Sequence, residues 1–354
     1  MTSIFRTTSL TRRGAALTLA AAAALLTGHT ASAQQVVLRV HHFLPSTSNA
    51  HVKLIQPWCD KVAKDSGGKL KCQIYPSMQL GGSPAQLFDQ VRDGVVDMVW
   101  TVPTYAAGRF TKSEVFELPW MASSAKSGSQ ALWTYVDKNA QDEFKGVHRI
   151  FMHLHDGALF HFSKAQPKTM EDLKGMKIRA ATRINAKMLQ ALGAAPIVIP
   201  LPQVPEAMSK GLVDGAAVPW EGSPAIRLPD FAKYHMDVPV GAPRISNTIF
   251  LFAMNQAKYD ALPAELKKVI DDNSGLATSG WAGEVGFDKM VETFKQSAKD
   301  GGGVFYNLPD AEYQRWVKAT DQVDDDWIQQ ANAKGADGRK LLDEARSLVK
   351  QYSK

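Results

Sequence analysis

Short apolar and β-branched runs alternate along most of the chain with stripes of apolar residues at helical spacing. Val36 to Val40 predicts a first strand. Val52 to Ser66 predicts a helix whose apolar stripe is Ile55, Trp58, Cys59 and Val62, with Pro57 shortening its first turns and Gly67-Gly68 ending it. Leu70 to Tyr75 reads as a second strand. Ser83-Pro84-Ala85-Gln86 is a helix start with a capping box and proline in the first turn; that helix runs to about Arg92 and stops at Gly94, before a third strand at Val95 to Val99. A second unit of the same kind follows: strand Lys177 to Ala180, helix Asn185 to Leu192 stopped by Gly193, strand Pro196 to Pro200, helix Val204 to Lys210 stopped by Gly211, strand Val213 to Val218. Gln90-Val91-Arg92-Asp93-Gly94-Val95-Val96-Asp97 and Ala207-Met208-Ser209-Lys210-Gly211-Leu212-Val213-Asp214 share a helix end, a glycine, two apolar residues and an aspartate. Two similarly built α/β domains are the expectation.

The segments between and after these units read as connections. Ser129 to Asn139 is helical. Val147 to Leu154 is a strand leading to His155-Asp156-Gly157 and resuming at Phe160 to Phe162, as a crossing between domains. Arg244 to Met254 reads as a strand crossing back. Pro263 to Lys299 carries a long helical pattern, interrupted by Gly275, Gly280, Gly283 and Gly286. As one helix it would span about 55 Å and back both domains. Asp310 to Ala333 and Gly338 to Tyr352 are further helices.

The first 33 residues have a different character. Arg6, Arg12 and Arg13 precede an Ala/Leu run from Gly14 to Leu26, and Ala31-Ser32-Ala33 reads as a cleavage site, so a signal peptide is expected with Gln34 as the mature start. The arginine pair leaves twin-arginine and general export both open. Without the three arginines the formal charge falls from +6 to +3. No basic block remains, which argues against nucleic acid as a partner. Export makes a bond between Cys59 and Cys72 possible; two buried thiols are the alternative.

For chemistry, Arg179 leads, because a guanidinium near the carboxyl end of a strand in such a fold can hold an anion by two parallel hydrogen bonds. Arg183 reads as a second contact, a steering charge or an ordinary surface residue. Trp220, after a strand end, reads either as a pocket wall or as part of the core, with Tyr105, Phe43 and Phe250 as weaker wall candidates. His41 and His42 share a loop with Asn49 and His51 nearby, and His153 and His155 share one face of a strand. No H-x-x-x-H or cysteine-rich spacing supports a metal, so a histidine hydrogen-bonding a bound acid is the better reading. There is no G-x-S-x-G, no Walker loop and no G-x-G-x-x-G after the first strand, which leaves catalysis with little support.

Leu173-Lys174-Gly175-Met176-Lys177-Ile178-Arg179, Leu192-Gly193-Ala194 before Pro196, and Pro205 to Gly215 ending in Gly211-Leu212-Val213-Asp214-Gly215 resemble the motifs of the DctP-type solute-binding proteins of tripartite ATP-independent periplasmic (TRAP) transporters. The likeness covers essentially the whole mature chain, including the Gln79-Leu80-Gly81-Gly82 turn. It implies a periplasmic-binding-protein-like α/β fold of two domains joined by crossing strands and a long spanning helix. The expected division is 34–156 with 245–283 and 157–244 with 284–354. It also implies a carboxylate-clamping arginine at Arg179, a periplasmic monomer without cofactor, and delivery of the ligand to TRAP permease subunits driven by an ion gradient. Sialic-acid-binding members carry a second arginine after the crossing strand and an asparagine before a proline. Here those places hold Gly157-Ala158-Leu159-Phe160 and Val218 before Pro219, with Trp220 following. That departure suits a polyhydroxylated sugar acid poorly, and the tryptophan-bearing branch that the chain resembles implies a smaller or aromatic monocarboxylate, an aromatic or 2-oxo acid, with Asn247 and Thr248 as further polar candidates, and with Tyr105 and His42 closing on the ligand. A receptor's sensor module and an exported enzyme remain as rival readings.

Overall fold

The computed structural model describes residues 1–2 and 35–354, so the expected signal segment and its cleavage site lie outside the described residues. Eleven strands among the described residues form two mixed sheets. The first sheet has the order β2-β1-β3-β10-β4, where β1 is Val36–His42, β2 Leu70–Tyr75, β3 Met98–Thr101, β4 Val147–His153 and β10 Phe250–Asn255. The second has the order β11-β9-β5-β8-β6-β7, where β5 is Leu159–Phe162, β6 Lys177–Ala180, β7 Ala195–Val198, β8 Gly215–Val218, β9 Tyr234–Asp237 and β11 Val304–Asn307. Each sheet contains the parallel pairs that strand-helix-strand units require, β1 with β3 and β6 with both β7 and β8. The strand at one edge of the second sheet, β11, and its neighbour β9 carry weak alternation and were not expected.

The chain passes between the sheets three times, twice by short crossing segments and once through the helices between β10 and β11. It leaves β4 at His153 and enters β5 at Leu159, and it returns from β9 to β10. The two crossing segments hydrogen-bond to each other, Ala158 N to Ser246 O at 2.7 Å and Ile245 N to Ala158 O at 3.3 Å. This is the architecture of two α/β domains joined by crossing strands. The long helical stretch exists but is divided: Ala264–Asp272, Leu276–Gly286 and Val291–Asp300. The first break falls where Gly275 takes a left-handed φ of 92° and its N–H bonds Ile150 O at 2.8 Å. The Asp310 to Ala333 helix likewise divides at Thr320.

Two further differences have physical causes. Ahead of the helix Gln56–Asp65 the residues Ala50–Ile55 form a wide π-type turn, in keeping with Pro57, which has no N–H to give an ordinary first turn. The last helix, Gly338–Tyr352, was expected with the second domain. It packs on the first domain's helix Ala125–Asn139 instead, burying Leu341, Leu342 and Ala345, with Thr134 Oγ1 at 2.9 Å from Tyr352 OH and Lys138 at 2.5 Å from Glu344. Cys59 and Cys72 are bonded, which staples the Gln56–Asp65 helix to β2. No described helix is long and apolar enough to cross a membrane.

Contacts across the cleft hold the two domains together. Arg183, first residue of the helix Arg183–Ala191, pairs through both nitrogens of its fork with Glu114 of the first domain, Nε to Oε1 at 2.8 Å, and also donates to Gln330. The Glu114 side chain is wholly buried. Glu117, one turn on, is buried as well. Its Oε1 accepts from Thr104 Oγ1 at 2.6 Å and Ile249 N at 3.1 Å, while its Oε2 has no partner among the described residues. Burial therefore outweighs the hydrogen bonds and pushes the Glu117 carboxyl up to about 7.

Arg183→Ala would leave Glu114 buried and unpaired, and should cost about 3 kcal/mol in urea unfolding. Glu114→Gln in the same chain should restore most of that loss. A single variant within about 0.5 kcal/mol of wild type would show that the pair does not hold the domains. Glu117 has a second readout. Its folded value lies above the ordinary 4.5, so the folded protein keeps a proton that the unfolded chain releases, and its stabilising contribution is lost as pH rises from 4.5 through about 7. Glu117→Gln should therefore gain about 2–3 kcal/mol relative to wild type between pH 4.5 and 8. A stability difference that stays flat across that range would contradict the assignment.

Candidate functional site

The carboxyl ends of β1, β3, β6 and β8 and the start of antiparallel β10 converge on one cavity between the domains, the place where ligands sit in open α/β sheets. It admits the centre of a water-sized sphere over about 50 Å³, room for a small molecule rather than a sugar chain. Phe43 stacks on Trp100 with centroids 5.1 Å apart, and Trp100 stacks on Phe250 at 4.9 Å, so three rings from three strand ends form one apolar wall. Tyr105 meets Phe43 edge-on at 5.8 Å, and Phe287 adds a further ring.

Arg179 enters from the opposite domain. It is the third residue of β6, is 2% exposed, and its orientation is set by the backbone: Nε donates to Ile199 O and Nη1 to Ala217 O, both at 2.9 Å. The rest of its fork faces Tyr105 and the cavity. Burial lowers its pKa, with Tyr105 acting in the other direction, yet a guanidinium stays charged at any ordinary pH. Among the described residues no carboxylate stands within ion-pair distance of it. A fixed, desolvated and unbalanced positive charge beside a wall of rings is a receptor for an anion carried on an apolar body. Tyr105 OH in turn accepts from Leu201 N at 3.3 Å, so the same corner links both domains.

The polar corner of the cavity is His155 and Glu221, with Asp156 behind them; a ring nitrogen and one oxygen from each carboxyl lie within 4.8 Å of one another. His155 Nδ1 accepts from Gly157 N at 2.9 Å, which puts its proton on Nε2, and burial holds the ring neutral with its pKa down to about 3. Asp156 is ion-paired with Arg244. Burial raises both carboxyls, Glu221 well above the usual range, and each is further shifted by the other. Asp156 Oδ1 and Glu221 Oε2 are both buried and without a donor among the described residues. One proton resting on Glu221 and shared with Asp156 satisfies both. With Arg244 on Asp156, the corner is then already neutral, which is the charge balance a bound cation would otherwise supply.

The residues singled out from sequence divide into two groups. Arg179, Tyr105, Phe43, Phe250 and Thr248 line the cavity. Trp220 does not: it is 0% exposed, stacks on Phe305 at 5.6 Å and meets His161 edge-on, inside the second domain's core. Its neighbours Pro219, Glu221 and Gly222 face the cavity in its place, because the turn Trp220–Gly222 directs the indole inward. His42 lies behind the aromatic wall, bonded to His51 Nδ1 at 2.9 Å and accepting from Leu44 N. Arg183 is committed to Glu114 and Gln330. Asn247 ties the crossing segments, donating to His155 O at 2.8 Å and accepting from Ala122 N. Sequence reasoning passed over Trp100, whose place in the apolar run Met98–Thr101 reads as core, and Glu221, which sits beside the more conspicuous tryptophan.

Known structures share this fold. A TRAP solute-binding protein from Rhodoferax ferrireducens T118, in complex with copurified benzoate, is 43% identical over 90% of this chain and 99% of its own, with a TM-score of 0.88. One from a marine metagenome, specific for aromatic acid ligands and bound to 3-hydroxybenzoate, is 43% identical over 91% and 100% of the two chains, with a TM-score of 0.89. One from Bordetella bronchiseptica, with bound mandelate, is 26% identical over 89% and 99%, with a TM-score of 0.82. Residues 40–330 match the bacterial extracellular solute-binding protein family 7, DctP. The chain therefore belongs to that family, as a periplasmic solute-binding protein of a TRAP transporter.

Proposed function

We propose that this protein captures a small aromatic monocarboxylate in the periplasm and delivers it to a TRAP permease. The observation that carries the reading is Arg179, a buried guanidinium with no carboxylate partner among the described residues, facing the Phe43–Trp100–Phe250 wall. The ligand's carboxylate supplies the missing charge and its ring packs on the wall. The same kind of ligand is bound by relatives 43% identical to this chain. A 2-oxo acid without a ring would satisfy Arg179 but leave the aromatic wall uncovered.

Binding and closure are one event in this account. The acid enters an open cleft as its anion, Arg179 of the second domain takes the carboxylate, and Phe43, Trp100 and Tyr105 of the first domain close over the ring. Excluding water strengthens the ion pair, and the closed state is favoured because it alone makes both sets of contacts. The bound acid is released unchanged, the protein acts as a monomer, and its macromolecular partner is the permease.

Refolded protein, stripped of any carried ligand by unfolding, should show an upward thermal shift with benzoate or phenylacetate and little with acetate. Arg179→Ala should weaken that binding at least about a hundredfold, the scale of removing one partner from a desolvated charge pair. Wild-type-like affinity in the variant would remove Arg179 from the site, and chromatographic recovery of an altered acid would replace the carrier reading with an enzymatic one.

A further inference from the structure

The cavity has more polar equipment than a plain aromatic acid can use. Arg179 accounts for a carboxylate and the ring wall for an arene, but the corner formed by His155 and Glu221 would then face apolar ring edges. A buried donor or acceptor left without a partner costs free energy, so a ligand that satisfies the corner is favoured over one that does not.

Each group in the corner has a defined role. His155 Nδ1 is occupied as an acceptor of the Gly157 N–H, so what it can offer a ligand is the Nε2–H donor. Asp156, bound to Arg244, sits against Glu221 with two orphaned oxygens, Oδ1 and Oε2. A single proton between those oxygens satisfies both and makes Glu221 a neutral acid. That matters twice. A neutral acid does not repel a carboxylate bound in the same cavity. Its other oxygen is then a carbonyl-type acceptor rather than a charge. One donor and one acceptor in the same corner match the two-sided chemistry of a hydroxyl, which accepts one hydrogen bond and donates another. A hydroxyl oxygen bridging such a pair spans about 4.6 Å from donor to acceptor, and a ring nitrogen of His155 lies within 4.8 Å of a carboxyl oxygen of Glu221.

We propose that His155 and Glu221 are specificity-determining residues that select a hydroxyl-bearing aromatic acid, with His155 Nε2–H donating to the ligand hydroxyl and Glu221 accepting from it. This rests on the aromatic-monocarboxylate reading of the same cavity and adds the substituent. Asp156 and Arg244 are positioning residues: they hold the proton on Glu221 and do not touch the ligand.

The test is calorimetry on ligand-free, refolded protein with benzoate, its three monohydroxy isomers and the matching fluoro isomers, fluorine being of similar size to a hydroxyl but unable to donate. The best hydroxy isomer should bind at least about tenfold more tightly than benzoate, and its fluoro counterpart should not share the gain. Glu221→Gln keeps an N–H for Asp156 and a carbonyl for the ligand, so it should retain the preference. Glu221→Leu should lose the preference, the ratio of hydroxybenzoate to benzoate affinity falling to about one. Equal binding of hydroxy and fluoro isomers, or a preference that survives in Glu221→Leu, overturns the assignment and leaves the aromatic-acid reading standing. Failure of wild type to bind any member of the series overturns both. The ligand series in wild type decides the matter even where the leucine variant does not fold.

Discussion

A guanidinium taken out of water without a counter-ion is among the costlier things a protein interior can hold. Much of the surrounding structure limits that cost at Arg179. Two backbone carbonyls, from Ile199 and Ala217, turn their dipoles toward it, and Tyr105 reaches it from the other domain. The remaining ionisable groups of the cavity are kept from competing: His155 is held neutral, Asp156 is answered by Arg244, and Glu221 retains its proton. The net result is a cavity one negative charge short of balance, with the shortage located at a single fork. An anion of the right shape restores the balance, which gives the ligand its grip without a large number of contacts.

That economy depends on two domains meeting, since the charge and most of the aromatic wall are on different sides of the cleft. Trp100 and Phe43 hang from the first sheet; Arg179 from the second. The domains are nonetheless tied outside the cavity by Arg183 and Glu114. In the proposed closure the ligand therefore does not have to supply the whole free energy. It has only to tip a balance already set by contacts it never touches. A buried ion pair in that position suits registration more than raw stability, because its cost of desolvation offsets much of its attraction.

How much of this was legible in the sequence follows from geometry. The strand-helix-strand units, the crossings and Arg179 were visible because each has a local signature: glycine stops, apolar periodicity, and a charged residue within an otherwise apolar strand. The failures were mostly failures of parity. His42 and Phe43 are adjacent and face opposite ways, and Phe43 is the one in the cavity. Trp220 and Glu221 are adjacent, and the short turn there sends the tryptophan into the core and the glutamate to the cavity. Which of two neighbours faces a cleft depends on a turn's handedness and on what packs behind it, and a single sequence does not carry that. Arg183 failed for another reason. Its partner Glu114 lies 69 positions earlier, a distance no local pattern spans. The C-terminal helix was assigned to the wrong domain because its amphipathic face says that it packs, not on what.

The order of strands in the first sheet also bears on the chain's life before it binds anything. β10 lies between β3 and β4, so residues near 100 and near 150 are joined through a strand beginning at Phe250. Until that strand arrives, the first sheet is two separate pieces with unpaired inner edges, and the second lacks β11 until after residue 300. Pairings this distant in sequence form late and slowly. A chain emerging from synthesis would remain incomplete in both halves until most of its length was present, and so would stay open and threadable for as long as its C-terminal third was missing.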